Sequence, residues 1–262
     1  MINTLLSVLR TGRATTTDLL PDLPAQALRL PMVTDQPCAA GDGCRACVEV
    51  CPTAAISLLP EAEGGPLVSL DRGRCLTCGL CTDACPTATL APDRSPRVAA
   101  RSRADLVLTN RPSEPQQATR RQRSPLARSL HIREVSTGDN ATDMEVQVIG
   151  NPIYDCARFG LHFVASPRHA DALLVTGPVG RAMAEPLRRC YEAMAEPRLV
   201  VAVGCAAVSG GLHAGGYAEA NGVDAVLPVD VYVPGNPPHP WAILHGLFLA
   251  MGSPLLDSPA RR

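Results

Sequence analysis

The chain has 262 residues, which is enough for one or two domains of ordinary size. Hydrophobic residues make up 46% of the chain, charged residues make up 19%, and the net charge is -1. This balance excludes an acidic disordered chain and a generally basic nucleic-acid binder. All 24 basic residues are Arg, so chemistry that requires a lysine, such as a Schiff base or a P-loop phosphate contact, is excluded as well.

Cysteine is common in this sequence, with 11 residues. No uninterrupted apolar stretch reaches the roughly 18 residues that a membrane-spanning helix needs, and the N-terminus lacks the order of an export signal. We therefore expect the chain to stay inside the cell. Because thiols are kept reduced there, the cysteines favour metal ligation over a disulfide framework.

The predicted N-terminal segment, residues 1–30, begins with a short amphipathic helix. Ile2, Leu5, Leu6 and Leu9 recur at helical spacing, and Gly12 is placed to end the helix. So short a helix needs a surface to pack on. The pattern is compatible both with packing on its own domain and with docking on a membrane partner.

A duplicated cysteine motif occupies residues 31–92, the predicted ferredoxin domain. The stretch from Cys75 to Pro86 reads C-x2-C-x2-C-x3-C-P, the spacing that wraps thiolates around a [4Fe-4S] cubane. The stretch from Cys44 to Pro52 has the same cysteine and proline spacing as the stretch from Cys78 to Pro86. This duplication predicts two [4Fe-4S] clusters.

The expected cluster ligands fall into two sets of four cysteines. In two-cluster ferredoxins the fourth Cys of each run ligates the cluster of the other run. The first set is therefore Cys38, Cys44, Cys47 and Cys85, and the second set is Cys75, Cys78, Cys81 and Cys51.

Cys38 departs from the repeat, because five residues separate it from Cys44 where the second copy has two. Gly41 and Gly43 allow a wider loop at this point. A zinc site and a three-iron first cluster are the alternatives. The Cys-Pro ending of both copies favours two cubanes over a zinc site.

Residues 93–130 form a predicted basic linker. From Arg94 to Arg133 there are ten Arg against two acidic residues, a net charge of +8, and four prolines interrupt regular structure. The stretch contains no Phe, Tyr or Trp on which a base could stack. A solvated connector or a strap on a partner subunit is therefore favoured over a nucleic-acid arm.

The predicted C-terminal domain, residues 131–262, alternates apolar runs of strand length with helical stretches. Its predicted strands are residues 144–149, 161–165, 172–176 and 199–203, and its clearest helix is residues 181–195. Strands separated by helices predict a parallel sheet with helices on its faces. The expected fold is an α+β ferredoxin-like two-cluster module followed by an α/β, flavodoxin-like domain.

With these motifs, residues 1–90 resemble the two-cluster ferredoxin-like subunit of respiratory complex I and of formate hydrogenlyase-type membrane hydrogenases. The opening Leu-Leu-Ser-Val-Leu-Arg-Thr-Gly, from Leu5 to Gly12, is similar too. The resemblance implies that the segment from Ile2 to Leu9 lies against the membrane arm of such a complex.

Blocks in the second half resemble another subunit of the same complexes, the twenty-kilodalton (B-type) subunit of complex I or the hydrogenase small subunit. In that family the domain binds one cubane beside the large catalytic subunit. The similar blocks are residues 128–135, 151–155, 158–160, 165–171, 174–177 and 228–235.

The cysteines that hold this cubane in the family are missing here. Gly138 to Asp143 stands where the family has a Cys pair, Ala206 takes the third position with Cys205 one residue early, and Asn236 takes the last position. Oxygen ligands are poor substitutes for several thiolates. We therefore expect no cluster in this half, and we interpret its cysteines as small buried hydrophobic residues: Cys156, Cys190 and Cys205.

The resemblance implies an iron–sulfur electron-transfer subunit of a hydrogenase-like or NADH-quinone oxidoreductase-like complex, with a cluster-less C-terminal docking scaffold. Alone, the chain is not expected to be a complete enzyme. The expected partners are a large subunit and membrane-arm subunits. Small electron carriers are a further possible class of partner, and nucleic acid is not an expected partner. The expected location is cytoplasmic, peripheral on the cytoplasmic face of the inner membrane.

The alternative is a soluble two-cluster ferredoxin, or a redox-sensing regulator, whose C-terminal half is a structural platform. The eight cysteines carry the same chemistry in either case, so the sequence of the cluster motif does not separate the two.

Overall fold

A computed structural model of the chain describes residues 19–62, 65–110, 125–138, 140–253 and 256. The amphipathic helix predicted from Ile2 to Leu9 lies outside these residues. Within the described ranges, no helix is both long enough and apolar enough to cross a membrane.

The first module contains two small antiparallel sheets and two one-turn helices. Each helix lies inside one copy of the cysteine motif, and the hairpin of β2 and β3 connects the two copies. This confirms the predicted α+β ferredoxin-like module. Its elements are β1 (Pro31–Val33), α1 (Ala46–Glu49), β2 (Ile56–Ala62), β3 (Gly65–Asp71), α2 (Leu80–Asp83) and β4 (Leu90–Pro92).

Part of the predicted linker is regular structure of this module. Strand β5 (Val107–Thr109) pairs antiparallel with β3, and Leu108 packs against the core of the module. Both terminal nitrogens of Arg103 donate to the Asp71 carboxylate, at 2.7 and 2.6 Å. The first part of the basic stretch therefore packs on the ferredoxin-like module. Residues 111–124 of the stretch lie outside the described ranges.

The second module is a five-stranded parallel sheet. The strand order is β10-β9-β8-β6-β7, and every neighbouring pair is parallel. Counted from its first strand, this is the order 2-1-3-4-5 of flavodoxin-like folds, which confirms the predicted fold class. The strands are β6 (Leu130–Ser136), β7 (Leu161–Phe163), β8 (Ala172–Thr176), β9 (Leu199–Val203) and β10 (Val231–Val233).

Helices pack on both faces of this sheet. Alternate residues of the strands point to opposite faces, and two buried clusters divide accordingly. One cluster includes α3 (Asn140–Val148) and α6 (Pro240–Met251), and the other includes α4 (Arg181–Glu192). A short helix, α5 (Cys205–Ser209), directly follows the carboxyl end of β9.

The strand predicted over residues 144–149 is wrong, because these residues belong mostly to helix α3. Thr142, Val146 and Ile149 are buried, at the spacing of four and three residues that one helical face requires, whereas Met144 is exposed. Apolar and polar residues alternate from Met144 to Val148, and this alternation is typical of a strand. The helical spacing becomes visible only when the polar Thr142 is counted as a buried position.

Candidate metal centre

The four cysteines of the second predicted set line one cavity. The cavity lies between the β2–β3 hairpin and the loop that leads into helix α2, and Ile56, Leu70 and Leu80 contribute apolar walls. Two of the cysteines are buried and one is exposed. The cysteines that share this cavity are Cys51, Cys75, Cys78 and Cys81.

The pKa values of this set reflect its burial. Burial, opposed by the hydrogen bond from the Thr77 backbone and assisted by the neighbouring thiols of Cys81 and Cys78, raises the pKa of the Cys75 thiol to about 12. Burial and the neighbouring thiols of Cys51 and Cys78 raise the pKa of Cys81 to about 11. A cluster binds thiolates, so it would supply the positive charge that lets these sulfurs ionise in a buried place.

The four cysteines of the first predicted set also lie together. Burial raises the pKa of the Cys47 thiol, and the next contributions come from the thiols of Cys38, Cys85 and Cys44. Each of these cysteines is half-buried. Cys85 of the second copy therefore lies near Cys47 of the first copy, and Cys51 of the first copy shares a cavity with three cysteines of the second.

Backbone N–H groups point at several of the sulfurs. The Cys51 Sγ accepts from the Ala55 N–H at 3.2 Å, and the Cys75 Sγ accepts from the Thr77 N–H at 3.4 Å. Burial raises the pKa of Cys85, but hydrogen bonds from the Leu90 and Thr87 backbones outweigh it, so the pKa is lowered overall. Donors aimed at sulfur stabilise the ionised form that iron requires.

The duplication seen in the sequence is repeated in the backbone. Ala54 has φ +48° and Ala88, its equivalent in the second copy, has φ +53°, so the Cys-Pro-Thr-Ala turn has the same left-handed residue in both copies. The hydroxyl of Thr53 lies 3.9 Å from the Cys51 Sγ, and that of Thr87 lies 3.8 Å from the Cys85 Sγ. The two halves therefore present equivalent sulfur environments.

The widened loop after Cys38 is a 3-10 turn over Ala39–Asp42 that ends at Gly43 with φ +84°. This turn accommodates the extra residues, and Cys38 stays beside the other thiols of its set. Among the described residues, no group of three or more His, Cys, Asp or Glu side chains is arranged to hold a metal ion. The cysteine environment, with a cavity, clustered thiols and N–H donors, fits iron–sulfur clusters.

The positions that carry cluster ligands in the resembling small subunits meet at the carboxyl edge of the parallel sheet. The Cys205 N–H donates to the Gly235 oxygen at 2.7 Å, which joins the loops after β9 and β10. A Cβ added to Gly204 would lie 2.8 Å from the hydroxyl oxygen of Thr142, so helix α3 packs tightly on the same place. Cys205 is itself buried here, and Cys156 lies in the core of the other sheet face.

A polar network at this edge was missed by the sequence analysis. The Asp143 carboxylate accepts from the hydroxyls of Ser136, at 2.5 Å, and of Thr176. The hydroxyl of Thr137 donates to the Thr176 oxygen at 2.6 Å and accepts from the Val179 N–H at 2.9 Å. A signal in the sequence could have located this network: hydroxyl residues stand directly after β6 and at the end of β8. The strand order reverses between these two strands, and ligands of such sheets bind at that point.

The two modules contact each other next to the second cysteine set. The 3-10 turn Arg72–Arg74, which immediately precedes Cys75, receives a hydrogen bond on its Gly73 oxygen from the Ser209 hydroxyl at 2.9 Å. Cys75 itself belongs to the hydrophobic core that includes strands of the parallel sheet. The second set therefore lies at the module junction.

Comparisons with known proteins identify both modules. Residues 42–89 match the model of a 4Fe-4S dicluster domain, which includes seven of the eight cysteines and leaves out Cys38. Residues 140–250 match the model of the NADH ubiquinone oxidoreductase, 20 Kd subunit, family.

Among curated proteins, the chain is 40% identical over 128 residues to formate hydrogenlyase subunit 7 of Escherichia coli (strain K12). This match covers 48% of the chain and 50% of the relative, so the chain spans half the length of that protein.

Two solved structures are also similar. One is the membrane-bound sulfane sulfur reductase, an archaeal respiratory membrane complex, at 32% identity and a TM-score of 0.45, covering 48% of this chain and 70% of the other. The second is an NAD+-reducing [NiFe]-hydrogenase in the H2-reduced state, at 23% identity and a TM-score of 0.36, covering 47% of this chain and 92% of the other. One stretch of the chain is therefore similar to a 4Fe-4S dicluster domain, and a separate stretch is similar to the NADH ubiquinone oxidoreductase, 20 Kd subunit.

Proposed function

We propose that the chain is the iron–sulfur electron-transfer subunit of a hydrogenase-like or NADH-quinone oxidoreductase-like membrane complex. Two [4Fe-4S] clusters supply one-electron transfer without proton or substrate chemistry. One cluster is held by Cys38, Cys44, Cys47 and Cys85, and the other by Cys51, Cys75, Cys78 and Cys81.

The observation that carries this proposal is the cavity shared by the four cysteines of the second set. These residues come from both copies of the repeat, and the fold brings Cys51 across to the loop that holds the other three. The identity to formate hydrogenlyase subunit 7 supports a place in a complex of that kind.

In this proposal the C-terminal domain is a docking scaffold for a large subunit and carries no cluster. Its three candidate ligand segments pack directly on one another, through Thr142 on Gly204 and through the Cys205–Gly235 hydrogen bond. The assembly lies on the cytoplasmic face of the inner membrane, where further subunits form the membrane arm.

The cluster assignment is tested by the non-haem iron content of anaerobically purified protein, together with paramagnetic resonance of the reduced sample. Two cubanes give about eight irons per chain. Cys38→Ser and Cys78→Ser should each abolish the signal of a different cluster, whereas the matched control Cys190→Ser should leave both signals intact. About twelve irons, or loss of the same signal in both ligand variants, would contradict the assignment.

The partner assignment is tested by affinity purification of the tagged chain from its own membranes. A large subunit and membrane-embedded subunits should co-purify in stoichiometric amounts and should remain with the chain after solubilisation in mild detergent. Recovery of the chain alone, from the fraction that does not sediment with membranes, would favour a soluble ferredoxin or a redox regulator instead.

A further inference from the structure

Thr77 has an unusual backbone conformation between two cluster ligands. It lies between Cys75 and Cys78 and has φ +57°, in the left-handed region that β-branched residues rarely adopt. Holding such a residue there costs free energy. The surrounding structure must therefore supply contacts that offset this cost.

The first copy of the repeat has a glycine at the position equivalent to Thr77. Gly43, which precedes Cys44 as Thr77 precedes Cys78, has φ +84°, and a Cβ added to it would have no neighbour within 4 Å. Glycine adopts this conformation without strain. The turn itself therefore does not require a threonine, and the side chain of Thr77 serves another purpose.

That side chain is bonded to the other module. The Thr77 hydroxyl can donate to the Leu76 oxygen, at 2.6 Å, and to the Asn236 oxygen, at 3.1 Å. It also accepts from the Asn236 N–H at 3.3 Å. Thr77 is buried, with 5% of its surface exposed. Both contacts to Asn236 involve its backbone, so the loop after β10 fixes the position of Thr77.

The same residue bonds to a cluster ligand through its backbone. The Thr77 N–H donates to the Cys75 Sγ at 3.4 Å. A single residue thus connects the loop after β10 in the C-terminal domain to a sulfur of the second set. No such connection exists at Gly43, because glycine has no hydroxyl to anchor.

We propose that Thr77 is a positioning residue that sets the reduction potential of the cluster held by Cys51, Cys75, Cys78 and Cys81, with the Asn236 backbone as its anchor. This inference rests on the proposed function. Reduction adds one electron to the cluster and breaks none of its bonds. A donor held against a ligand sulfur stabilises the added negative charge, so it raises the potential.

The test is an anaerobic redox titration of the full chain followed by paramagnetic resonance, with Thr77→Val and Thr77→Gly as the test variants. Val retains the shape of Thr, and Gly adopts the turn as Gly43 does, so the second variant remains informative if the first fails to fold. In both, the ratio of reduced to oxidised cluster at a fixed ambient potential should fall about tenfold for one cluster, which corresponds to about 59 mV for one electron. The other cluster and the iron content should not change.

Two further variants make the test specific. Thr77→Ser retains the hydroxyl and should restore the wild-type potential. Asn236→Ala retains both backbone contacts and should leave the potential unchanged. Wild-type potentials in both Thr77→Val and Thr77→Gly would overturn the inference, and so would a shift in Asn236→Ala as large as in Thr77→Val.

The same experiment separates the two proposals. A wild-type chain without two cubane signals would contradict the proposed function and this inference together. A wild-type chain with both signals, whose potentials do not respond to Thr77, would contradict only the inference about Thr77.

Discussion

At the scale of single residues, glycines with positive φ differ in what surrounds them. Gly204 has φ +92°, and an added Cβ would lie 2.8 Å from the Thr142 hydroxyl oxygen, whereas Gly215 has φ +80° with no atom within 4 Å. An alanine is strained at both positions: the φ of +92° and ψ of +152° at Gly204 form a combination essentially restricted to glycine, which costs about 1–3 kcal/mol, and a left-handed φ such as that of Gly215 costs about 1–2 kcal/mol. Only Gly204 faces a buried neighbour as well.

We therefore predict that Gly204→Ala lowers the free energy of unfolding by about 1–3 kcal/mol more than Gly215→Ala, because overpacking is added to strain. The comparison is made by urea unfolding of anaerobic protein with equal iron content. Equal losses in the two variants would show that the contact between Thr142 and Gly204 yields easily, and that this edge of the sheet is less tightly closed than the structure indicates.

The cysteines that we propose as cluster ligands could be chosen from the sequence alone because their spacing carries the chemistry. The repeat of Cys44, Cys47 and Cys51 at Cys78, Cys81 and Cys85 requires no knowledge of the fold. The role of Thr77 was not predictable, because its partner Asn236 is distant in the sequence and contributes only backbone atoms. Sequence spacing contains no information about such a contact.

At the scale of elements, uninterrupted apolar runs gave correct strands. The bounds predicted for β8 and β9 are those observed. Their five residues are apolar or small, all of them buried in β8 and all but Leu199 buried in β9, which is typical of a parallel sheet covered on both faces. Strand β6 was not predicted as a strand, because His131, Arg133 and Glu134 interrupt its apolar residues. Helix α3 was missed because Thr142 takes a core position.

Helix α6 is attached to the start of the linker by a buried histidine. The Nδ1 of His245 accepts from the Ala99 N–H at 3.2 Å. Burial, together with the nearby charge of Arg97, lowers the pKa of His245 to about 4. The folded state therefore keeps this imidazole neutral at pH values where the unfolded chain, with a pKa near 6.5, already binds a proton.

Stability should consequently fall as the pH drops below about 6.5, because the unfolded state binds more protons than the folded state. Between pH 7 and pH 5 the loss from this residue is about 2 kcal/mol. The matched variant is His245→Gln, whose amide oxygen can accept from Ala99 but does not titrate. We expect the wild type to lose more stability than this variant over that range, as measured by urea unfolding, and parallel pH profiles would contradict the prediction.

At the scale of the whole molecule, one buried cluster contains residues of both modules, although the first module also has a core of its own. Leu20, Leu30, Cys75 and Val98 belong to the same buried cluster as Val231 and Phe248. Ala100 and Tyr232 exchange two backbone hydrogen bonds, at 2.9 and 2.8 Å. From charge and proline content alone, a solvated connector or a strap on a partner subunit was expected here, because those properties do not identify the surface on which a segment packs.

This shared core implies that the clusters stabilise the C-terminal domain as well as their own module. Loss of iron frees the loop from Cys75 to Cys81, and with it the Thr77 hydroxyl that accepts from the Asn236 N–H. The turn that accepts from Ser209 directly precedes this loop. Each hydrogen bond is worth about 1 kcal/mol net, so its loss speeds local amide exchange roughly fivefold.

We therefore predict that anaerobic removal of iron by a chelator accelerates hydrogen exchange at residues 204–211 and 234–238, which lie outside the cluster module. Strand β8 at the centre of the sheet is the internal control, because all five of its residues are buried and its ladder bonds do not involve the first module. Exchange is measured by mass spectrometry on matched holo and iron-free samples. If acceleration is confined to residues 31–109, the modules are energetically independent, and the contacts of Thr77 and Ser209 do not couple cluster loss to the scaffold.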